Sequence, residues 1–293
     1  MSARTANIAL ENITHGLIRT TLPRLAPALG FEGDQEYLHQ VVLWQRWTKW
    51  EQEDPLELRT DVPDIYKQRV LYVYKQALMA LRFWPEMWVN AAEWCFSSGL
   101  DKEGDKFFND GILANPESSL LAFQKADRIE STLSTEDADK GLAEKGAVVR
   151  APFDKPLDSL YDLIEQVKAR EVREISRLEE SYKVDDSINA VIAKSTEEDG
   201  EDKDTTIAKE TREAVRSNQI SAIKQGYIIQ ARILQRTISY AWIALMRAMR
   251  RVQGKGAVRD PIGGSRQIFS AARARGKITS NVYVASALIE QNV

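Results

Sequence analysis

Residue types that perform acid–base, nucleophilic or metal chemistry are sparse in this chain of 293 residues. It has two histidines, His15 and His39, and a single cysteine, Cys95. Neither histidine has a serine, cysteine or carboxylate beside it at a spacing typical of a nucleophile or a metal site. One cysteine excludes an internal disulfide and a cysteine-based zinc cluster, so we expect it to be buried, in a protein of a reducing compartment.

Two further patterns fail as signs of catalysis or phosphate binding. Gly254-x-Gly256 and Gly263-Gly264 do not follow a predicted strand, so we interpret them as turns in a loop between helices. Glu51, Glu130 and Glu290 lie at similar places in three separate helical segments. Each is therefore expected to accept a hydrogen bond within its own repeat rather than to join a catalytic set. The sequence predicts no enzyme, no cofactor and no metal site.

The strongest pattern is Trp44-x-x-Trp47-x-x-Trp50-Glu51. A spacing of three places the indoles on one stripe of an α-helix, and each indole can bury about 150–250 Å² against a neighbouring helix. Aromatic side chains near arginines also stack the bases of single-stranded RNA in some proteins. Because the three tryptophans share the phase of the packing face, the pattern favours a role in the core.

Weaker versions of this pattern recur and define a repeat. The spacing is 44 residues from Trp44 to Trp88 and 40 residues from Trp242 to Val282, with prolines between the units. Two amphipathic helices in a period of this length are typical of an α-solenoid, although an unrelated all-α domain rich in aromatics is an alternative. The positions predicted to pack the repeats are Trp44, Trp47, Trp50, Glu51, Tyr74, Ala77, Trp88, Ala91, Trp94, Phe108, Phe123, Trp242, Leu245, Phe269, Tyr283 and Ala285.

The chain is predicted to be all-α, with an acidic disordered insertion at 195–204. Its segments are a lead-in (1–35), about two and a half helix pairs (36–133), an irregular or extended repeat region (134–205), and a basic long helix with further repeats, truncated at the C-terminus (206–293). Pro152 and Pro156 are expected to break helices. Residues 157–252 form either one lengthened repeat or a protruding antiparallel hairpin, and the usual position of insertions in loops favours the first.

Charge and apolar content restrict the partners of the chain. No apolar run reaches the roughly 18–20 residues of a membrane helix, so no membrane partner is expected. The net charge of −3 conceals an asymmetry, because fourteen Lys and Arg residues between Arg212 and Ser280 face only Glu213 and Asp260. This basic stretch is interpreted as a solvated face, a surface for an acidic protein or a contact for an RNA backbone. The candidate partner or RNA surface comprises Arg247, Arg250, Arg251, Lys255, Arg259 and Arg266.

The motifs taken together resemble the Suf-domain family of half-a-TPR (HAT) repeat scaffolds, which belong to the pre-mRNA cleavage stimulation factor. They occur in the family's order: Trp44–Leu56, Arg69–Leu78, Trp84–Ala92, Leu120–Asp127, Tyr240–Arg251, Arg266–Arg273 and Val282–Glu290. The resemblance covers about residues 36–130 and 236–293 and is closest to fungal members. The chain departs from the family where Ala91, Leu245 and Ala248 replace expected aromatic residues.

The resemblance implies a nuclear, non-catalytic scaffold in pre-mRNA 3′-end cleavage and polyadenylation, which organises other processing subunits through helical-repeat surfaces. It also implies self-association through the C-terminal repeats, which are incomplete in this chain. Contact of pre-mRNA with the basic surface is a further expectation. The alternatives are a HAT-repeat scaffold in splicing or ribosomal-RNA processing, and a single-stranded RNA-binding protein with exposed aromatic residues.

Overall fold

The computed structural model describes residues 3–27, 33–136, 141–195, 202–259 and 262–291, which form helices and no strand. The helices are α1 (Ala3–Thr14), α2 (Asp34–Gln52), α3 (Leu58–Asp61), α4 (Pro63–Ala80), α5 (Pro85–Ser97), α6 (Asp101–Ala114), α7 (Ser119–Glu136), α8 (Leu142–Ser195), α9 (Asp202–Gln253), α10 (Gly264–Arg275) and α11 (Ser280–Gln291). Among these described helices, none combines the length and the apolar content that a membrane crossing requires.

Successive helices pack on one another as pairs, which confirms the all-α solenoid predicted from the repeat. In the first compact unit, residues 1–139 with 151–156, α2 packs on α4, α4 on α5, and α5 on α6. In the second unit, residues 140–150 with 157–293, α9 packs on α10 and α11. Each unit is thus built from helix pairs that bury their apolar faces against their neighbours in sequence.

The Asp54-Pro55 corner joins the two long helices of the first repeat. The backbone of Asp54 has φ 53°, and α2 ends two residues before it, because residues before proline avoid the α region. The Asp54 carboxylate accepts hydrogen bonds from the backbone N–H groups of Leu58 (2.9 Å) and Arg59 (2.7 Å). The same residue therefore closes one helix and satisfies the free donors that begin α3.

The prediction of helix breaks at Pro152 and Pro156 is wrong, because α8 runs through both residues. A proline in a helix interior removes a backbone hydrogen bond and costs about 3 kcal/mol or more. Both prolines are buried, as is Phe153 between them. Burial of these apolar side chains offsets the lost hydrogen bonds, so the region following α7 is an extended helix. Of the predicted acidic loop, residues 196–201 lie outside the described residues.

From Leu157 onward, α8 forms a long antiparallel hairpin with α9 within the second unit. Side-chain hydrogen bonds connect Tyr161 to Trp242, Glu174 to Tyr227, Tyr182 to Gln219 and Asp186 to Arg216, so partners advance along one helix as they recede along the other. None of the side chains at 168–188 or 211–237 is fully buried. This exposure favours the hairpin over a lengthened repeat that packs into a core.

Gly111 on α6 occupies a place where the helix packing leaves no room for a side chain. A β-carbon there would lie 2.9 Å from Cγ and 3.0 Å from Cβ of Trp88, atoms too near the backbone to swing away. We expect Gly111→Ala to lower the free energy of unfolding by up to about 2 kcal/mol, because overpacking costs about 1–3 kcal/mol and the improved helix propensity of alanine returns about 1 kcal/mol. Denaturant unfolding followed by circular dichroism measures the difference.

The matched control for this substitution is Lys102→Ala, at an exposed position of the same helix. It should change the free energy of unfolding by no more than about 0.5 kcal/mol. If the two variants proved equally stable, the close approach of α6 to Trp88 would not limit the packing of this repeat.

Candidate functional site

The tryptophan stripe lies in the interior of the first unit. Trp44 is 1% exposed and Trp47 is 4% exposed, and their rings stack with centroids 5.5 Å apart. Trp50 is partly buried against the same cluster. Rings that are covered in this way present no face to a nucleic-acid base, so Trp44 and Trp47 do not form a stacking platform.

Most of the other positions predicted to pack the repeats are also covered. The fully buried ones are Tyr74, Ala77, Trp88, Ala91, Phe108, Trp242, Leu245 and Ala285, and the half-buried ones are Trp94, Phe123 and Phe269. Tyr283 differs, because it is 49% exposed and touches Phe269 through a perpendicular ring contact of 5.6 Å. Small or aliphatic residues thus fill the core at Ala91 and Leu245, where the resemblance led us to expect aromatic ones.

Glu51, the residue that ends the tryptophan motif, makes the central ion pair of the first repeat. Its two carboxylate oxygens accept hydrogen bonds from Nε (3.0 Å) and Nη2 (2.9 Å) of Arg69 on α4. The Glu51 side chain is 6% exposed, whereas that of Arg69 is 36% exposed. This geometry confirms that Glu51 accepts hydrogen bonds within its own repeat, and it gives Arg69 a structural role that its place in the motif did not specify.

Glu290 makes a similar ion pair, but its partner belongs to the preceding repeat, whereas we expected a partner within its own repeat. Its carboxylate accepts two hydrogen bonds of 2.7 Å from Arg266 on α10, whereas Glu290 lies on α11. The prediction of a partner within its own repeat is therefore wrong. The hydrogen bonds from the Arg266 guanidinium hold the pKa of the Glu290 carboxyl below its ordinary range. The ammonium of Lys255 also donates to the backbone carbonyl of Glu290 (2.8 Å).

The glycines that follow α9 build a tight loop between helices, as predicted. Gly256 has φ 63°, and a β-carbon there would lie 2.3 Å from the backbone carbonyl of Gly263. The backbone N–H of Ser265 donates to the carbonyl of Gly254 (3.2 Å), which brings the two ends of the loop together. Glycine is needed in this loop because two backbone segments come too close for a side chain, and because the turn requires a positive φ.

The structure divides the predicted basic surface into occupied and available groups. Lys255 and Arg266 are engaged with Glu290, and Arg250 and Arg251 also have interaction partners. Arg247 and Arg259 are exposed. Two of the six predicted cations, Lys255 and Arg266, therefore fasten α11 to its neighbours.

The few residues with reactive side chains are arranged for packing or exposure. Cys95 is 0% exposed, and burial raises the pKa of its thiol to about 12. His15 and His39 both lie at exposed positions. Within the described part of the chain, no three His, Cys, Asp or Glu side chains gather closely enough to hold a metal ion.

One surface was missed by sequence reasoning. Ile229, Ile233 and Tyr240 on α9 are between 57% and 58% exposed, although their residue types are typical of a core. The sequence signal was present, because α9 carries two separate sets of apolar residues at heptad-like spacing. Only the structure distinguishes the set that packs on α8 from the set that faces solvent.

Consecutive helix pairs, a buried tryptophan stripe and a paired Glu51 define a helical-repeat protein of the half-a-TPR type. The family described as Suppressor of forked protein (Suf) matches residues 1–293, and the chain belongs to that family.

Several fungal relatives are similar over nearly the whole chain. The chain is 52% identical over 290 residues to the mRNA 3′-end-processing protein rna14 of Aspergillus fumigatus, covering 99% of this chain and 27% of that protein. It is 48% identical over 306 residues to the mRNA 3′-end-processing protein rna-14 of Neurospora crassa, covering 100% and 25%. The relative in Yarrowia lipolytica, with the same descriptive name, is 32% identical over 290 residues, covering 99% and 26%. The chain therefore spans about a quarter of the length of these relatives.

Loss of the Arg69 guanidinium should destabilise the first repeat. We expect Arg69→Met to lower the free energy of unfolding by about 2–3 kcal/mol, because it leaves the buried Glu51 carboxylate unpaired while the partial exposure of the site moderates the cost. The double variant Glu51→Gln/Arg69→Met should recover at least about 1 kcal/mol, since it removes the buried charge. Denaturant unfolding of all four members of the cycle, followed by tryptophan fluorescence, measures the coupling. Strictly additive costs would contradict a direct pair.

The pair between Arg266 and Glu290 predicts a defined acid titration. The folded-state pKa of Glu290 should lie below its ordinary value of 4.5. The stabilising effect of the pair is therefore present above the unfolded-state pKa and is lost as the pH falls through the lowered value. An NMR titration of the Glu290 carboxyl carbon measures this pKa, and Arg266→Gln should raise it towards 4.5. The control Arg259→Gln should leave it nearly unchanged, and equal effects of the two variants would exclude a specific pair.

Proposed function

We propose that this protein is a non-catalytic scaffold in pre-mRNA 3′-end cleavage and polyadenylation, which holds other processing subunits on the surfaces of its helix pairs. The observation that carries the proposal is the family match over residues 1–293. Relatives of 52% and 48% identity that are named mRNA 3′-end-processing proteins support it. Their names also favour this process over splicing and ribosomal-RNA processing.

The absence of a catalytic role is supported by what the chemically capable residues do. Glu51 is committed to Arg69, and Glu290 is committed to Arg266. A thiol such as that of Cys95, whose pKa is raised by burial, is a poor nucleophile near neutral pH. The remaining functional capacity of the chain lies in its helical surfaces, which is how helical-repeat proteins bind their partners.

The proposed partners follow from this role. Other subunits of the cleavage and polyadenylation machinery are the main ones, and the nuclear setting of this process supports a nuclear location. Self-association through the C-terminal repeats is supported by α11, where Tyr283, Val284 and Leu288 are between 49% and 57% exposed. Exposed apolar side chains of this size on one helix are typical of an interaction surface.

Contact with pre-mRNA through the basic surface is a narrower second proposal. Exposed Arg247 and Arg259 favour it, whereas the engagement of Lys255 and Arg266 with Glu290 limits the charge available. Binding through two or three arginines would be weak, strongly dependent on salt and insensitive to RNA sequence.

Affinity capture tests the scaffold proposal. The tagged chain is incubated with ribonuclease-treated nuclear extract of a filamentous fungus, and the proteins retained are identified by mass spectrometry against a tag-only control. We expect enrichment of cleavage and polyadenylation subunits, because the helix surfaces are already formed in this chain. Enrichment of splicing or ribosomal-RNA factors instead, or of no protein above the control, would contradict the proposal.

A further inference from the structure

Helix α9 presents one apolar face to α8. The side chains on that face recur at spacings of three or four residues, and all are buried or half-buried. They are Arg216, Ile220, Ile223, Tyr227, Ala231, Leu234 and Ile238. With about 100° between successive residues of a helix, they cluster within about 40° of Tyr227 on either side. This face is the seam of the α8–α9 hairpin.

A second apolar face lies on the other side of α9 and has no partner in the described part of the chain. It consists of Val215, Ala222, Ile229, Ile233 and Tyr240, here called the outer stripe, and all five are exposed. Their helical angles fall within about 40° of one another and about 140° from the centre of the seam. The spacing of seven, seven, four and seven residues is that of a helix which packs on two neighbours.

The concentration of apolar residues on the outer stripe is not the usual scatter of single exposed side chains. Five large apolar residues of α9 are exposed among those described, and four of them belong to the stripe. The fifth, Ile228, points about 100° away from the seam on the other flank. From Val215 to Tyr240 the stripe is about 37 Å long, and its densest part, from Ile229 to Tyr240, spans about 17 Å or three helical turns.

The charges beside the stripe are of one sign. Arg232, Arg236 and Arg247 are exposed within about 80° of its centre, and none makes an ion pair with the described residues. Glu213 is the one acidic residue on α9 between Thr211 and Gln253, and its angle places it on the seam side. An apolar stripe bordered by arginines is complementary to an amphipathic helix bordered by carboxylates.

We propose that the outer stripe of α9 docks an acidic amphipathic α-helix of another protein, which would complete a three-helix assembly with α8 and α9. The apolar positions of the partner would pack against Ile229, Ile233 and Tyr240, and its flanking Asp or Glu residues would pair with Arg232 and Arg236. A second copy of the same stripe is a poorer occupant, because its arginines would meet like charges. RNA is also poorer, since aliphatic side chains offer no stacking surface.

This inference does not depend on the proposed role in 3′-end processing. Its readout is the chemistry of the segment that occupies the stripe, whichever complex that segment comes from. A failure of the capture experiment above would leave the stripe to be tested, and a failure at the stripe would leave the scaffold proposal standing on its other surfaces.

Site-specific photocrosslinking of the full-length protein in fungal nuclear extract identifies the occupant. The photoreactive residue p-benzoylphenylalanine is placed at Ile233 and, as a matched control, at Ile228 on the same helix. We expect Ile233 alone to crosslink a protein segment with apolar residues at helical spacing and a net negative charge. Adding Arg232→Gln and Arg236→Gln should lower the yield about five-fold, as the loss of two exposed ion pairs predicts.

Four other outcomes would overturn the proposal. They are crosslinks to later repeats of the same chain, crosslinks to a second copy, crosslinks to RNA, and a yield at Ile233 no greater than at Ile228. A crosslinked segment without acidic residues would also overturn it, because the arginines would then have no role.

Substitution provides the second arm of the test. Ile229→Glu/Ile233→Glu should reduce co-purification of the crosslinked protein at least about ten-fold. The substitutions would bury two carboxylates against the apolar face of the partner helix, next to the partner's own acidic residues, and like charges repel. The control Ile228→Glu/Val172→Glu adds two carboxylates at positions that are 46% and 63% exposed on the same hairpin, away from the stripe. It should leave co-purification unchanged. Circular dichroism confirms that both variants remain helical, and equal losses in the two would overturn the proposal.

Discussion

Burial of large aromatic side chains between successive helices is the interaction on which the first unit depends. A helix that carries Trp44 and Trp47 on one stripe exposes several hundred Å² of apolar surface until a second helix covers it. The buried Nε1 atoms of Trp44 and Trp47 have no hydrogen-bond partner among the described residues. At Trp88, by contrast, Nε1 donates a hydrogen bond of 2.8 Å to the carbonyl of Arg82, in the turn before its own helix, while the ring is buried. Each repeat therefore depends on the next repeat to cover its apolar surface, so the repeats stack without a gap.

This constraint explains why the charged residues of the motifs act as structural ties. Glu51 is held by Arg69 across the two long helices of one repeat, and Glu290 is held by Arg266 across two repeats. Both carboxylates are thus part of the helix packing in this member of the Suppressor of forked family.

The α8–α9 hairpin differs from the repeats of the first unit in how little of its surface is buried. The two helices bury a narrow seam and leave most of their remaining surface exposed. In a compact repeat, residues such as Ile229 and Ile233 would be covered by the following helix pair. On the hairpin they remain exposed beside arginines, so α9 carries an apolar and positive surface as well as its seam.

The sequence by itself determined the helical class, the tryptophan stripe, the Asp54-Pro55 corner and the absence of a recognisable catalytic set, because each depends on residue types a few positions apart. Tertiary structure decided what depends on distant neighbours. Burial keeps Pro152 within a helix that local rules would end, because packing outweighs a lost hydrogen bond. The partner of Glu290 lies 24 residues away on another helix, a pairing that no local spacing specifies. Whether Ile229 is core or surface depends on which helix lies against it, so only the assembled fold fixes that assignment.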